Sequence, residues 1–342
     1  MRIYFATNRD PNPPDAPTSF GKRFSAQGLT DLRFGLAEVT GAKLDKFTLQ
    51  VAPEKLDVGA DKAAVKDLSG QVLGSQAVFE AVRDEMLGKR QDCMVFIHGF
   101  NVDFAEALQR TAVLKKLYDA DRPMTWFVFT WPSDGEMLPF KSYISDRDDA
   151  RASGVALGRG LQKLANFLRG TRPEDYCGQN VHLMAHSMGG YALRWALQAI
   201  RNSTGQNLRR LMEHILLFAP DEDDDAFELD HKLMSLPEMA RRVSLYHNPG
   251  DLALVTSDVT KGNPDRLGAA GPRSARLLPD KVSVIDCEPA LSPRQDPQGH
   301  SYYWKNDTVR QDVLAVLAGQ APLDIKTRRY QPETRTFRLK KV

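Results

Sequence analysis

Val181-His182-Leu183-Met184-Ala185-His186-Ser187-Met188-Gly189-Gly190 decides how this chain is read. Val181 to Met184 is a short apolar run with the length of a buried strand. Gly190 to Arg201 carries helical spacing. Between them a serine sits among small residues, Ala185 and Gly189, on a tight strand-to-helix turn. Such an elbow lifts a hydroxyl above a sheet and sets backbone N–H groups at a helix N-terminus, where a developing oxyanion is stabilised. The first small position is usually glycine; alanine replaces it here. Ser187 is the candidate nucleophile.

Outward from the elbow, buried runs alternate with helical stretches. Met94 to Ile97, Thr125 to Thr130, His214 to Phe218, Val243 to Tyr246 and Val282 to Ile285 read as strands. Val78 to Met86, Phe104 to Tyr118, Asp148 to Leu168 and Asp307 to Leu317 read as helices. This alternation predicts an α/β fold, a mostly parallel central sheet with helices on both faces. Upstream, residues 1–75 supply short strands that join the same sheet, and the Pro-rich Asp10 to Pro17 reads as a loop. Residues 1–318 are expected to form one domain. Residues 256–278, rich in Gly, Pro, Arg and Asp, are a candidate lid or insertion, and 319–342 a basic tail.

His98-Gly99-Phe100-Asn101 follows the strand ending at Ile97 and precedes a helix. In an elbow architecture a second oxyanion donor comes from such an earlier loop, so the N–H groups of Phe100 and Met188 are the candidate oxyanion hole. His98 then shapes the loop. The triad partners should follow in the order serine, acid, histidine. His300 is the one histidine beyond Ile285, which makes it the candidate base. Asp251, in His247-Asn248-Pro249-Gly250-Asp251 after the penultimate strand, is the candidate acid; Asp221, one strand earlier, is the alternative. Trp131, Met137, Leu138, Phe140 and Tyr143 line either an acyl pocket or a packed cap.

These residues resemble the bacterial α/β-hydrolases catalogued as a domain of unknown function, lipase- and esterase-like serine hydrolases. The matching pieces are Tyr4 to Arg9, Val95 to Asn101, Trp131-Pro132-Ser133, Ala185 to Gly190, Phe218-Ala219-Pro220-Asp221, Tyr246 to Asp251 and Gly299-His300-Ser301-Tyr302. Together they span roughly residues 1 to 318. The resemblance implies the α/β-hydrolase fold and a Ser187–Asp251–His300 triad, and no known substrate. It favours cleavage of a carboxylic ester, the partner being a small-molecule ester or acyl substrate. The alternatives are a catalytically silent relative acting as a binding scaffold and an acyltransferase.

Bulk properties bound the rest. The formal net charge of +2 gives no global field towards nucleic acid. No apolar run is long enough for a membrane span, and no signal peptide is recognisable, so a cytoplasmic location is expected. The 3 cysteines, Cys93, Cys177 and Cys287, are neither a disulfide framework nor spaced as zinc ligands. Asp221 to Asp225 lacks the glycine of a calcium loop and reads as a solvated loop capping the next helix. No metal or cofactor is expected; oligomeric state is not legible.

Overall fold

The computed structural model describes residues 1–52, 74–133, 139–171, 177–204, 208, 210–254 and 265–340. The side chains at 139–142 and 169–170 fall outside that description. Among the described residues the main sheet has 11 strands in the order β12-β13-β11-β10-β9-β8-β6-β7-β1-β4-β5. In its interior β6 (Cys93–Ile97) is flanked by β8 (Val181–His186) and β7 (Thr125–Thr130), both parallel to it. β9 (Met212–Phe218), β10 (Ala240–His247) and β11 (Val282–Asp286) continue the parallel order on the β8 side. β1 (Arg2–Thr7) does so on the β7 side, followed by antiparallel β4 (Arg33–Thr40) and β5 (Lys46–Val51).

The strands show why the core runs are apolar throughout. Both faces are covered, so successive side chains enter different cores. In β6, Cys93, Val95 and Ile97 enter one core, together with α1 (Gly74–Lys89), α3 (Pro139–Gly170) and α4 (Met188–Ser203). Met94 and Phe96 enter the other, with α2 (Phe104–Asp119). α2 starts at a capping box: the Asp103 side chain accepts from the Glu106 N–H, and the Glu106 carboxylate accepts from the Asp103 N–H.

Two segments differ from the sequence reading. Arg9–Asn12 is not loop but strand β2, paired antiparallel with β3 (Ser19–Phe24); a register shift between Arg9 and Pro11 accommodates the proline. The basic stretch set apart as a tail supplies β12 (Arg328–Gln331) and β13 (Thr336–Leu339), and β13 pairs parallel with β11. Buried Arg328 forms an ion pair of 2.7 Å with buried Asp312 of α6 (Asp307–Leu317). That compensation lets a basic strand dock on the sheet.

The chain runs from β6 to β7 on one side and later returns to β8 on the other. This reversal is a topological switch point, where a crevice opens beyond the C-terminal strand ends. The loops bordering it are His98–Asp103 after β6 and the turn at Ser187 after β8. Among the described residues no helix is long and apolar enough to cross a membrane.

Candidate active site

Ser187 stands between β8 and α4 with φ 52° and ψ −125°. A non-glycine residue in that region is strained and persists only where its surroundings dictate it. They do so here: the Ser187 N–H donates to Phe218 O at 2.9 Å, and Ser187 O accepts from the N–H groups of Gly190 (2.9 Å) and Asp221 (3.1 Å). Gly189 must be glycine, because a Cβ would lie 2.6 Å from the carbonyl oxygens of Ile97 and His98. Met188 is the first helical residue, and its N–H has no partner within the helix.

The loop after β6 lies against this turn, since a Cβ on Gly99 would come within 2.9 Å of Ser187 Cβ. Its scaffold is polar and buried. His98 Nδ1 donates to Gly99 O (2.9 Å), leaving Nε2 to accept the Trp131 N–H (3.2 Å). Burial, with some repulsion from Arg9, holds the His98 pKa well below its ordinary value, so the ring is neutral. Asn101 adopts φ 56° and donates its N–H to Asp146 (3.2 Å). The Val102 N–H goes to Ser133 Oγ, and buried Arg9 donates to Val102 O at 2.8 Å.

Asp251 and His300 arrive from two further loops. His300 Nδ1 is 2.6 Å from Asp251 Oδ2. The other carboxylate oxygen accepts the N–H groups of Ala253 (3.0 Å) and Leu254 (3.1 Å), which fixes the carboxylate. Burial raises the Asp251 pKa, opposed by the His300 hydrogen bond and charge. The Asn248 side chain donates to Gly299 O (2.7 Å) and accepts the Gly250 N–H (3.0 Å), tying the Asp251 loop to the His300 loop. His186, the neighbour of Ser187, donates from Nε2 to His300 O at 3.0 Å, with the two rings 4.7 Å apart. Burial and the facing His300 lower its pKa well below the ordinary value, so it is a neutral donor.

Residues 75–317 match the profile of the family described as "Alpha/beta hydrolase of unknown function (DUF900)". The chain belongs to this family. Solved structures similar to this α/β-hydrolase include the Pyrobaculum calidifontis esterase, at 10% identity, covering 76% of this chain and 98% of that one, with TM-score 0.33. EstE1, a thermophilic carboxylesterase from a metagenomic library, shares 12% identity over 68% of this chain and 81% of its own, with TM-score 0.33. Aspergillus fumigatus lipase B shares 12% identity over 40% of this chain, TM-score 0.25, and only 25% of the lipase is spanned. No curated protein matches.

The other candidate residues of this hydrolase are placed as follows. Asp221 does not meet His300: its carboxylate is 2.5 Å from Tyr143 Oη and forms ion pairs with Arg147 (3.6 Å) and Arg266 (3.5 Å). Trp131 is fully buried, stacked on His98 at 5.1 Å, with Nε1 donating to His98 O. It supports the loop from beneath rather than forming an open pocket wall. Tyr143 packs edge-on against Phe100 at 5.8 Å. Met137, Leu138 and the Phe140 side chain lie outside the described residues.

The acidic run is not solvated. Asp221 and Glu222 are buried, Glu222 pairs with Arg194 (3.2 Å), Asp223 and Asp225 with Lys232, and Asp224 with Arg273 (2.7 Å). Basic residues from four segments, at Arg147, Arg194, Lys232 and Arg266 to Arg273, neutralise it, and among the described residues no cluster could hold a metal ion. Of the candidate lid, residues 265–278 are described. Helix α5 (Leu267–Ala270) packs onto the site loops, with the Gly268 N–H donating to Pro220 O and Gly268 O accepting from Asn248 N–H. Asp146 escaped the sequence reading, and Arg9, Ser133 and Asn248 entered it only as parts of matching pieces with no role assigned; for Asn248 the signal was its place in the turn leading to Asp251.

Proposed function

We propose that this α/β-hydrolase is a serine hydrolase that cleaves a carboxylic ester through an acyl-enzyme. The observation that carries the reading is convergence. The Asp251–His300 pair, built from two late loops, is anchored through His186 to the strained turn that presents Ser187. In this scheme Ser187 Oγ attacks the acyl carbon while His300 takes its proton. Asp251 holds the imidazole tautomer with Nδ1–H and stabilises the imidazolium. The carbonyl oxygen, now negative, is received by the N–H groups of Phe100 and Met188. Collapse expels the alcohol, protonated by His300. Water then attacks the acyl-enzyme by the same route, releasing the acid and free Ser187.

A fluorophosphonate probe tests the reading. The wild-type protein should be labelled once, at Ser187, and Ser187→Ala should not be labelled. Failure to label folded wild-type protein would overturn the assignment. A panel of short and long acyl esters, thioesters and amides then defines the substrate class.

A further inference from the structure

From the end of the sheet opposite the elbow, a hollow runs along one face of the strands beneath α1 and α3. The cavity holds about 450 Å³. Its walls include Phe79 and Met86 of α1, Leu157 and Leu161 of α3, and Val95 and Phe127 of the sheet. It reaches from Cys93, the first residue of β6, to Phe129, which pairs with Ile97 at the end of β6. Four residues of strand make this about 13 Å long. On β8 it touches Val181, at the far end of the strand from Ser187. Water finds few partners in such a space, and an engineered apolar cavity of about 150 Å³ already takes up benzene.

Two features narrow the guest. The polar lining is gathered at the N-terminal strand ends, where Gln179, Asn180, Arg210 and Glu213 meet Arg83 of α1. Glu213 is paired with Arg241 at 2.5 Å and half-buried Arg83 with Asp84 at 3.0 Å, so the exposed Arg210 is the cation this collar offers. The second feature is Gly160, in the interior of α3. Gly154 and Gly158 have a packing reason: a Cβ would meet Trp195 Cβ at 2.3 Å and Ala196 O at 2.9 Å on α4. Gly160 lines the cavity, and its Cβ would meet only Leu32 at 3.8 Å. A helix-weakening residue therefore stands where a side chain would fit and would take up the space.

We infer that this cavity is a second ligand site, which takes one linear acyl chain with its carboxylate at the collar beside Arg210. The site is separate from the Ser187 crevice and does not depend on the esterase reading.

The test uses full-length Ser187→Ala protein, stripped of lipid and titrated with hexadecanoate by calorimetry. Binding of one equivalent is expected. Gly160→Leu in the same background should weaken it at least tenfold, and Arg210→Gln should weaken hexadecanoate but not hexadecanol. Cys177, half-buried and part of the lining, gives a readout in unmodified protein: bound hexadecanoate should slow its alkylation severalfold. In the wild-type background Gly160→Leu should leave Ser187 labelling unchanged. Absence of binding overturns the inference. So does binding that neither protects Cys177 nor weakens in Gly160→Leu, or that is lost when a phosphonate occupies Ser187 in wild-type protein. If Gly160→Leu fails to fold, Cys177 protection decides alone.

Discussion

The two ends of the central strands are built by opposite rules. Beyond the C-terminal ends of β6, β8 and β9, three residues that are not glycine take left-handed backbone: Asn101 (φ 56°), Ser187 (φ 52°) and Ala219 (φ 43°). Chains approach so closely there that a single Cβ on Gly189 has no room. Towards the N-terminal ends the side chains are apolar, and the packing leaves a cavity of about 450 Å³. Strain and polar cross-links concentrate where three loops must hold a fixed geometry. The opposite end has no such constraint and keeps free volume.

Several substitutions would sharpen or break that contrast. The largest effect should come from Ser187→Ala, which should lower kcat on an ester substrate by roughly 10³- to 10⁶-fold with the fold intact; retained turnover would remove the nucleophile. Asp251→Asn, which misdirects the His300 tautomer, should lower kcat by roughly 10⁴-fold without changing KM much. Gly189→Ala should cost about 1–3 kcal/mol in urea denaturation, because the added methyl meets backbone rather than a movable side chain. At the opposite end Gly160→Ala should instead stabilise by about 0.4–1 kcal/mol. If both glycines behaved alike, the contrast between the two ends would fail.

A pH prediction belongs to the crowded end. Burial pushes the Glu222 carboxyl up to about 7 from an ordinary 4.5, despite the adjacent Arg194. A raised folded-state value means that its contribution to stability is fully present below the unfolded value and is lost as pH rises through the folded one. Stability should therefore decline between pH 4.5 and about 7 on account of this group. In Glu222→Gln that part of the slope should disappear, as read from urea midpoints across the range.

Much of this was legible because the central strands are buried on both faces. Met94–Ile97 and Thr125–Thr130 cannot be anything but interior, and the turn at Ser187 carries its own small-residue signature. What escaped the reading depends on compensation between distant residues. Arg328 looks like a solvated charge until Asp312, sixteen positions earlier, is seen beside it. Asp221 to Asp225 looks like a surface loop until Arg147, Arg194, Lys232, Arg266 and Arg273 converge on it. Trp131 looks like a pocket aromatic because nothing local reveals that His98 lies against its face. The cavity is invisible for a similar reason: its walls have the composition of any core, and nothing in the sequence sets Gly160 apart from Gly154 and Gly158 of the same helix.

The reversal of strand order at β6 has a mechanical consequence. α2, which follows the His98–Asp103 loop, belongs to one hydrophobic core, and α4, which follows Ser187, belongs to the other. The crevice is thus a seam between two independently packed layers, each carrying one wall. A covalent adduct on Ser187 that also engages the Phe100 N–H would bridge the seam. It should slow amide hydrogen exchange in α2 and α4 together, although the two helices lie on opposite sides of the sheet.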